Sequence, residues 1–153
     1  IADVNRSKRE LERLKRIARA EGVWDPTEGG ADAVRFRDQI ALLEVDIVAL
    51  EMLVLRVLSA EKSGKNSLDI AGLLKIKGSE IQQRYAELMM LAAGPFAMPF
   101  IEEAMEAGWQ GNFPGGITAN APLASTYFNL RKTTIYGGSN EVQRNIVAQT
   151  VLG

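Results

Sequence analysis

The sequence predicts an all-α fold, an antiparallel four-helix bundle. Three observations point there. Apolar residues recur at helical spacing through nearly every informative segment, no segment alternates apolar and polar residues as a half-buried strand would, and Gly22, Gly94-Pro95 and Gly137-Gly138 punctuate the periodic runs. With 153 residues, 46% of them apolar, the chain can bury a core as one domain or one piece of a larger protein.

The elements follow in order. Ser7-Lys8-Arg9-Glu10 has the form of a capping box and predicts the start of a first helix. Leu11, Leu14, Ile17 and Ala18 form its apolar stripe, and Gly22 marks its end. A linker through Trp24-Asp25-Pro26-Thr27-Glu28-Gly29-Gly30 leads to Asp32, which suits the cap of a second helix over roughly Ala33 to Lys62. That helix carries Phe36, Ile40, Leu43, Ile47, Leu50, Val54 and Val57, with Leu42, Val48, Leu53 and Leu58 on further faces, so it is expected to sit centrally. Ser63-Gly64-Lys65-Asn66 reads as a turn. The third helix runs from about Ser67 to Ala93, with Leu73, Ile76, Ile81, Tyr85, Leu88 and Leu91 as candidate core residues. Gly72 and Gly78 inside it would each cost about 1 kcal/mol relative to alanine, a cost that close approach of a neighbouring helix can offset. Gly94-Pro95 stops it, and Pro99 to Ala107 reads as a brief amphipathic helix. The turn-rich stretch Gly108 to Ala121 has the length of a functional loop, a lid or an interface arm, or else of a disordered segment. Pro122 opens a helix through Lys132, and a last helix runs from Ser139 or Asn140 to about Leu152.

Composition excludes several chemistries. There is no cysteine and no histidine, hence no disulfide, thiolate nucleophile, serine–histidine triad or histidine-ligated metal within these residues. Acid–base work must come from Asp, Glu, Lys or Tyr, or from elsewhere. A formal net charge of −1 argues against a chain-wide field for nucleic acid. The stretch Ile40 to Leu58 is interrupted by Glu44, Asp46, Glu51 and Arg56, so no membrane span is expected. The start, Ile1-Ala2-Asp3-Val4-Asn5-Arg6, reads as an excised fragment without a secretory signal, and the expected setting is cytoplasmic.

Three groups of residues bear on chemistry. The basic first helix (Arg6, Lys8, Arg9, Arg13, Lys15, Arg16, Arg19) reads as a solvated face rather than an anion-binding arm, since no aromatics interleave the charges. Glu102, Glu103 and Glu106 read as a wet face, with no metal site expected. The segment Ile135-Tyr136-Gly137-Gly138-Ser139-Asn140-Glu141 differs in kind. Two glycines free the backbone and a hydroxyl or amide then caps a helix, whose free N–H groups suit a polarised carbonyl or phosphate oxygen. On these residues alone a plain helix connection is the favoured reading, since a lone Gly-Gly is a weak signal.

The run Lys132-Thr133-Thr134-Ile135-Tyr136-Gly137-Gly138-Ser139-Asn140-Glu141-Val142-Gln143-Arg144-Asn145-Ile146 resembles the closing signature of acyl-CoA dehydrogenases. Asp38-Gln39 early in the second helix and Gly94 after the third fall in that family's order and spacing. The segment Phe113-Pro114-Gly115-Gly116-Ile117-Thr118-Ala119-Asn120-Ala121-Pro122-Leu123-Ala124, with Thr126-Tyr127-Phe128-Asn129, looks most like pimeloyl-CoA dehydrogenase large subunits. The resemblance implies that residues 1–153 are the C-terminal helical domain of an FAD-dependent oxidoreductase, without the family's N-terminal helical and middle β domains. It implies α-proton abstraction from an acyl-CoA thioester with hydride loss to FAD, oligomers of two or four copies, a pairing with a small subunit in pimeloyl-type enzymes, and an electron-accepting flavoprotein partner.

Residue by residue, Gly137 stands where many members place the catalytic Glu, and glycine takes no proton. Its main-chain N–H would still polarise the thioester carbonyl, and Tyr136 would flank the substrate. Ser139 and Glu141 match positions that contact FAD, while Gln39 and Gly94 match positions near the FAD of a neighbouring subunit. The Arg-x-x-Phe-Gly element expected before the second helix is replaced by the Trp24 to Ala31 linker. Some members carry the base near the start of the first helix, which by alignment falls just upstream of Ile1. The competing functional class is a non-catalytic helical interaction module that keeps the scaffold.

Overall fold

The computed structural model describes residues 3–63, 68–106, 120 and 122–152. Five α-helices span Val4–Ala20 (α1), Pro26–Lys62 (α2), Leu68–Ala93 (α3), Leu123–Leu130 (α4) and Asn140–Leu152 (α5). Short 3-10 turns cover Gly94–Ala97, Glu102–Met105 and Arg131–Thr134. No strand occurs among the described residues. Register shows that the long helices are antiparallel. Lys8 meets Glu51 at 2.7 Å while Lys15, further along α1, meets Glu44 at 3.2 Å. Asp46 faces Lys77 and Gln39 faces Arg84, which reverses α3 against α2. The all-α bundle predicted from periodicity is the observed fold.

Leu11, Leu14, Ile17 and Ala18 of α1 are all buried, as their stripe predicts, and pack with Ile40, Leu43, Ile47 and Leu50 of α2. Ile81, Tyr85, Leu88 and Met89 of α3 complete the centre of the core. The Tyr85 hydroxyl is sealed there with no well-formed hydrogen bond, the Arg6 side chain being its polar neighbour. Burial pushes its pKa up, against the opposing charge of Arg6.

Five sequence expectations are corrected. α1 starts earlier than the capping box: Asp3 caps it by accepting from Arg6 N–H at 2.8 Å, and Ser7 sits inside the helix, donating to the Asp3 carbonyl. α2 starts at Pro26, because the Asp25 carboxylate accepts from both the N–H and the hydroxyl of Thr27. The stretch read as linker is therefore a helical turn, separated from the rest of α2 by a non-helical Gly30 (φ 56°, ψ −141°). The central helix is α3, which contacts each of the other four helices. Leu42, Val45, Met52 and Leu55 of α2 instead form an outer apolar stripe, Leu42 being 68% exposed. Leu73 and Leu91 of α3 are likewise exposed rather than core. The 3-10 turn at Glu102–Met105 stands within the segment read as an amphipathic helix, and Glu102, Glu103 and Glu106 face solvent. Residues 64–67 of the α2–α3 turn and most of the Gly108 to Ala121 loop lie outside the described residues.

Arg6, Lys8, Arg9, Arg16 and Arg19 of the basic α1 are exposed, as a solvated face requires, while Lys8 and Lys15 also pair with α2. Lys15 pairs with Glu12 and Glu44; burial pulls its pKa down, but those two carboxylates raise it overall. No described helix is long and apolar enough to cross a membrane.

Candidate functional site

α4 ends at Leu130 and the chain tightens into the 3-10 turn Arg131–Thr134 before reaching the glycine loop. One side chain fastens this approach. Gln83 of α3 points its amide nitrogen at the carbonyls of Leu130 (3.2 Å) and Arg131 (3.1 Å) and at the hydroxyls of Thr133 and Thr134. Its two N–H groups are shared among these four acceptors. In return the Arg131 guanidinium donates to the Gln83 carbonyl at 3.1 Å, and its carbon lies 4.4 Å from the Tyr127 ring centroid.

Beyond this clamp the chain turns. Ile135 and Tyr136 N–H groups both donate to the Lys132 carbonyl. Gly137 (φ 69°) and Gly138 (φ 85°) then take left-handed conformations that side-chain-bearing residues adopt only at a cost. Gln143 reaches back from α5 and donates to the Gly137 carbonyl at 3.2 Å. The N–H groups of Gly137 and Gly138 have no acceptor among the described residues. A Cβ built on Gly137 would meet nothing within 4 Å, so the space beside it is open. Ile135, Tyr136 and Phe128 present exposed apolar surface near the same stretch of chain.

α5 opens directly after the glycines. The Ser139 hydroxyl accepts from Val142 N–H at 3.4 Å, a long capping bond. The Glu141 carboxylate bonds its own N–H and the Ser139 hydroxyl, and these bonds hold it below the ordinary carboxylate range, with the charges of Arg144 and Lys75 adding to the effect. A carboxylate so held is a poor proton acceptor. Asn140 is buried and its side-chain oxygen accepts from the buried Lys75 ammonium at 2.7 Å and lies 3.3 Å from the Ser79 hydroxyl. α5 approaches α3 closely here: a Cβ on Gly72 would lie 2.8 Å from Val147 Cγ2. That contact accounts for a glycine inside α3.

Tyr136, Gly137, Ser139 and Glu141 thus share one loop and helix mouth. Gln39 and Gly94 do not join them. Gln39 is on α2, its oxygen accepting from Arg84 at 2.9 Å, and Arg84 also binds Glu87. Gly94 closes α3 with φ 56° and open space beside it; it lies 11 residues beyond Gln83, roughly 16 Å along a helix. Two side chains that tie the loop to α3, Gln83 and Lys75, carry no sequence signal of their own beyond a polar residue interrupting an apolar helix. A separate cleft of about 480 Å³ lies between α1 and the start of α2, lined by Lys15, Arg19, Trp24, Arg37 and Glu44 among others. Arg19 and Arg37 stand 4.8 and 5.5 Å from the Trp24 ring. None of the predicted site residues lines it. No group of carboxylates among the described residues could hold a metal ion.

Against this geometry, the profile of the family "Acyl-CoA dehydrogenase, C-terminal domain" matches residues 7–152. The chain belongs to that family. It is 26% identical over 125 residues to acyl-CoA dehydrogenase IpdE1 of Mycolicibacterium smegmatis, an alignment covering 82% of this chain and 27% of the relative. The chain thus spans about a quarter of the length of the curated relative it matches. No solved structure matches it. Gln83, Lys75 and the glycine loop are accordingly features of an acyl-CoA dehydrogenase C-terminal domain.

Proposed function

We propose that this domain serves an FAD-dependent acyl-CoA dehydrogenase that introduces an α,β double bond into an acyl-CoA thioester, with pimeloyl-CoA as the candidate substrate. The observation that carries the reading is the pair of unaccepted N–H groups at Gly137 and Gly138, held open by left-handed glycines at the mouth of α5.

The residues present fit such a group. Open space flanks Gly137 and Gly94, and the glycine loop offers main-chain N–H donors to an electron-rich carbonyl. Ser139 and Glu141 would hold FAD from this loop, and Gln39 and Gly94 would meet the FAD of a neighbouring copy. When bound, FAD supplies the acceptor for the β-hydrogen.

In the reaction the Gly137 N–H donates to the thioester carbonyl oxygen. Loss of the α-proton builds negative charge on that oxygen, and a donor already in place stabilises it without reorganisation. The exposed Tyr136 ring flanks the acyl chain. Glu141 matches a position that faces FAD rather than the substrate, so it is not assigned as the base. The base is a Glu from the part of the enzyme outside these residues.

The test uses the intact enzyme. Oxidation of pimeloyl-CoA with an artificial electron acceptor is expected. Gly137→Pro, which deletes the amide and also cannot keep the left-handed φ of 69°, should lower kcat by at least the roughly 100-fold cost of one such donor. Unchanged kinetics would overturn the assignment, and an intact protein that binds neither FAD nor acyl-CoA would leave the interaction-module reading in its place.

A further inference from the structure

Lys75 is only 8% exposed, and its ammonium has a neutral partner, the Asn140 side-chain oxygen at 2.7 Å. No carboxylate stands within ion-pair distance of it among the described residues, Glu141 acting on it only at longer range, and a buried ammonium without such a contact is costly. The cost is raised by its place, for Lys75 meets α5 at its N-terminal end, where the helix dipole disfavours a cation. An apolar side chain of similar length would fill the same space with neither penalty.

What the charge does is visible at Asn140. An asparagine at the mouth of a helix ordinarily competes for that helix's own free amides. Here its oxygen is drawn off towards α3, with Ser79 beside it at 3.3 Å. Capping falls to the long Ser139–Val142 bond, and the Gly137 and Gly138 amides stay without an acceptor among the described residues. The geometry points to Lys75 as a positioning residue that, through Asn140, holds the first turn of α5 so that the Gly137 amide faces outward and free. This assignment rests on the dehydrogenase reading for its catalytic consequence, though the coupling itself is a property of the chain.

The experiment compares Lys75→Met, Asn140→Ala, their double variant and Asn140→Asp in the intact enzyme, by steady-state kinetics and by amide hydrogen exchange over residues 137–142. Each of the first two should lower kcat about tenfold with KM for acyl-CoA shifted less than about twofold, and should speed exchange in that segment. The double variant should be no worse than the more severe single one, because both remove the same contact. Asn140→Asp keeps an acceptor for Lys75 and should recover most of the turnover lost in Asn140→Ala. Unchanged kcat and exchange in Lys75→Met, additive losses in the double variant, or no recovery in Asn140→Asp would overturn the role. If Lys75→Met does not fold, the Asn140→Ala and Asn140→Asp pair decides. A wild-type enzyme without acyl-CoA oxidation would sink the dehydrogenase reading, and the exchange comparison would still decide the coupling.

Discussion

At Gly137 and Gly138 two adjacent residues share a backbone conformation but not an environment. Alanine at either pays left-handed strain of about 1–2 kcal/mol. At Gly137 the new methyl meets open space, whereas at Gly138 it would lie 2.7 Å from the Gln143 amide nitrogen and displace the bond that nitrogen makes to the Gly137 carbonyl. Gly138→Ala should therefore lose about 1 kcal/mol more than Gly137→Ala, read from urea unfolding midpoints. Tyr85 gives the opposite sign. Its hydroxyl is buried with no well-formed hydrogen bond, so Tyr85→Phe should be neutral or stabilising by up to about 1 kcal/mol; a loss larger than that would show the hydroxyl to be bonded. Glu141 adds a pH dependence. Its folded pKa lies below the ordinary 4.5, so its stabilising bonds are fully present above that value and are lost as pH falls through the folded pKa. Being fully exposed, it should loosen only the first turn of α5, which an NMR titration of the Glu141 and Val142 amides would detect.

Among the elements, the seam between α3 and α5 is set by a missing side chain. Gly72→Ala would bring its Cβ within 2.8 Å of Val147 Cγ2, and a branched side chain has little room to turn away. A cost of about 1–3 kcal/mol is expected, with Val147→Ala in the same chain recovering part of it. This seam also shows what a sequence discloses. The stripe Leu11, Leu14, Ile17 and Ala18 was legible because its period is local, and so was Gly72 as a point of close approach. The start of α2 was not: Gly29-Gly30 reads as linker, while the bonds that make Asp25 a cap depend on Thr27 and on a helical turn that glycine alone does not predict. Of the site, the loop from Tyr136 to Glu141 was legible through its Gly-Gly pair and its resemblance to a family signature. Gln83 and Lys75 were not, because their partners lie 47 to 65 residues away and no local pattern encodes such a pairing.

For the molecule as a whole, the outer stripe of α2 is large apolar surface that nothing among the described residues covers. Oligomerisation through it is our expectation for the intact enzyme, and Leu42→Lys with Met52→Lys should shift its sedimentation towards smaller species while leaving the core residues of α2 in place. The isolated 153 residues, by contrast, should purify colourless and without dehydrogenase activity; bound flavin absorbance would refute this. The placement of α3 against all four other helices has a further consequence, for mutational tolerance. Its buried positions together must satisfy four neighbouring helices, and no single compensating change elsewhere can restore them all. A saturation-mutagenesis map of this domain should therefore be darkest along α3 and palest on the solvent side of α1, with the outer face of α2 tolerant in the lone chain and intolerant in the assembled enzyme.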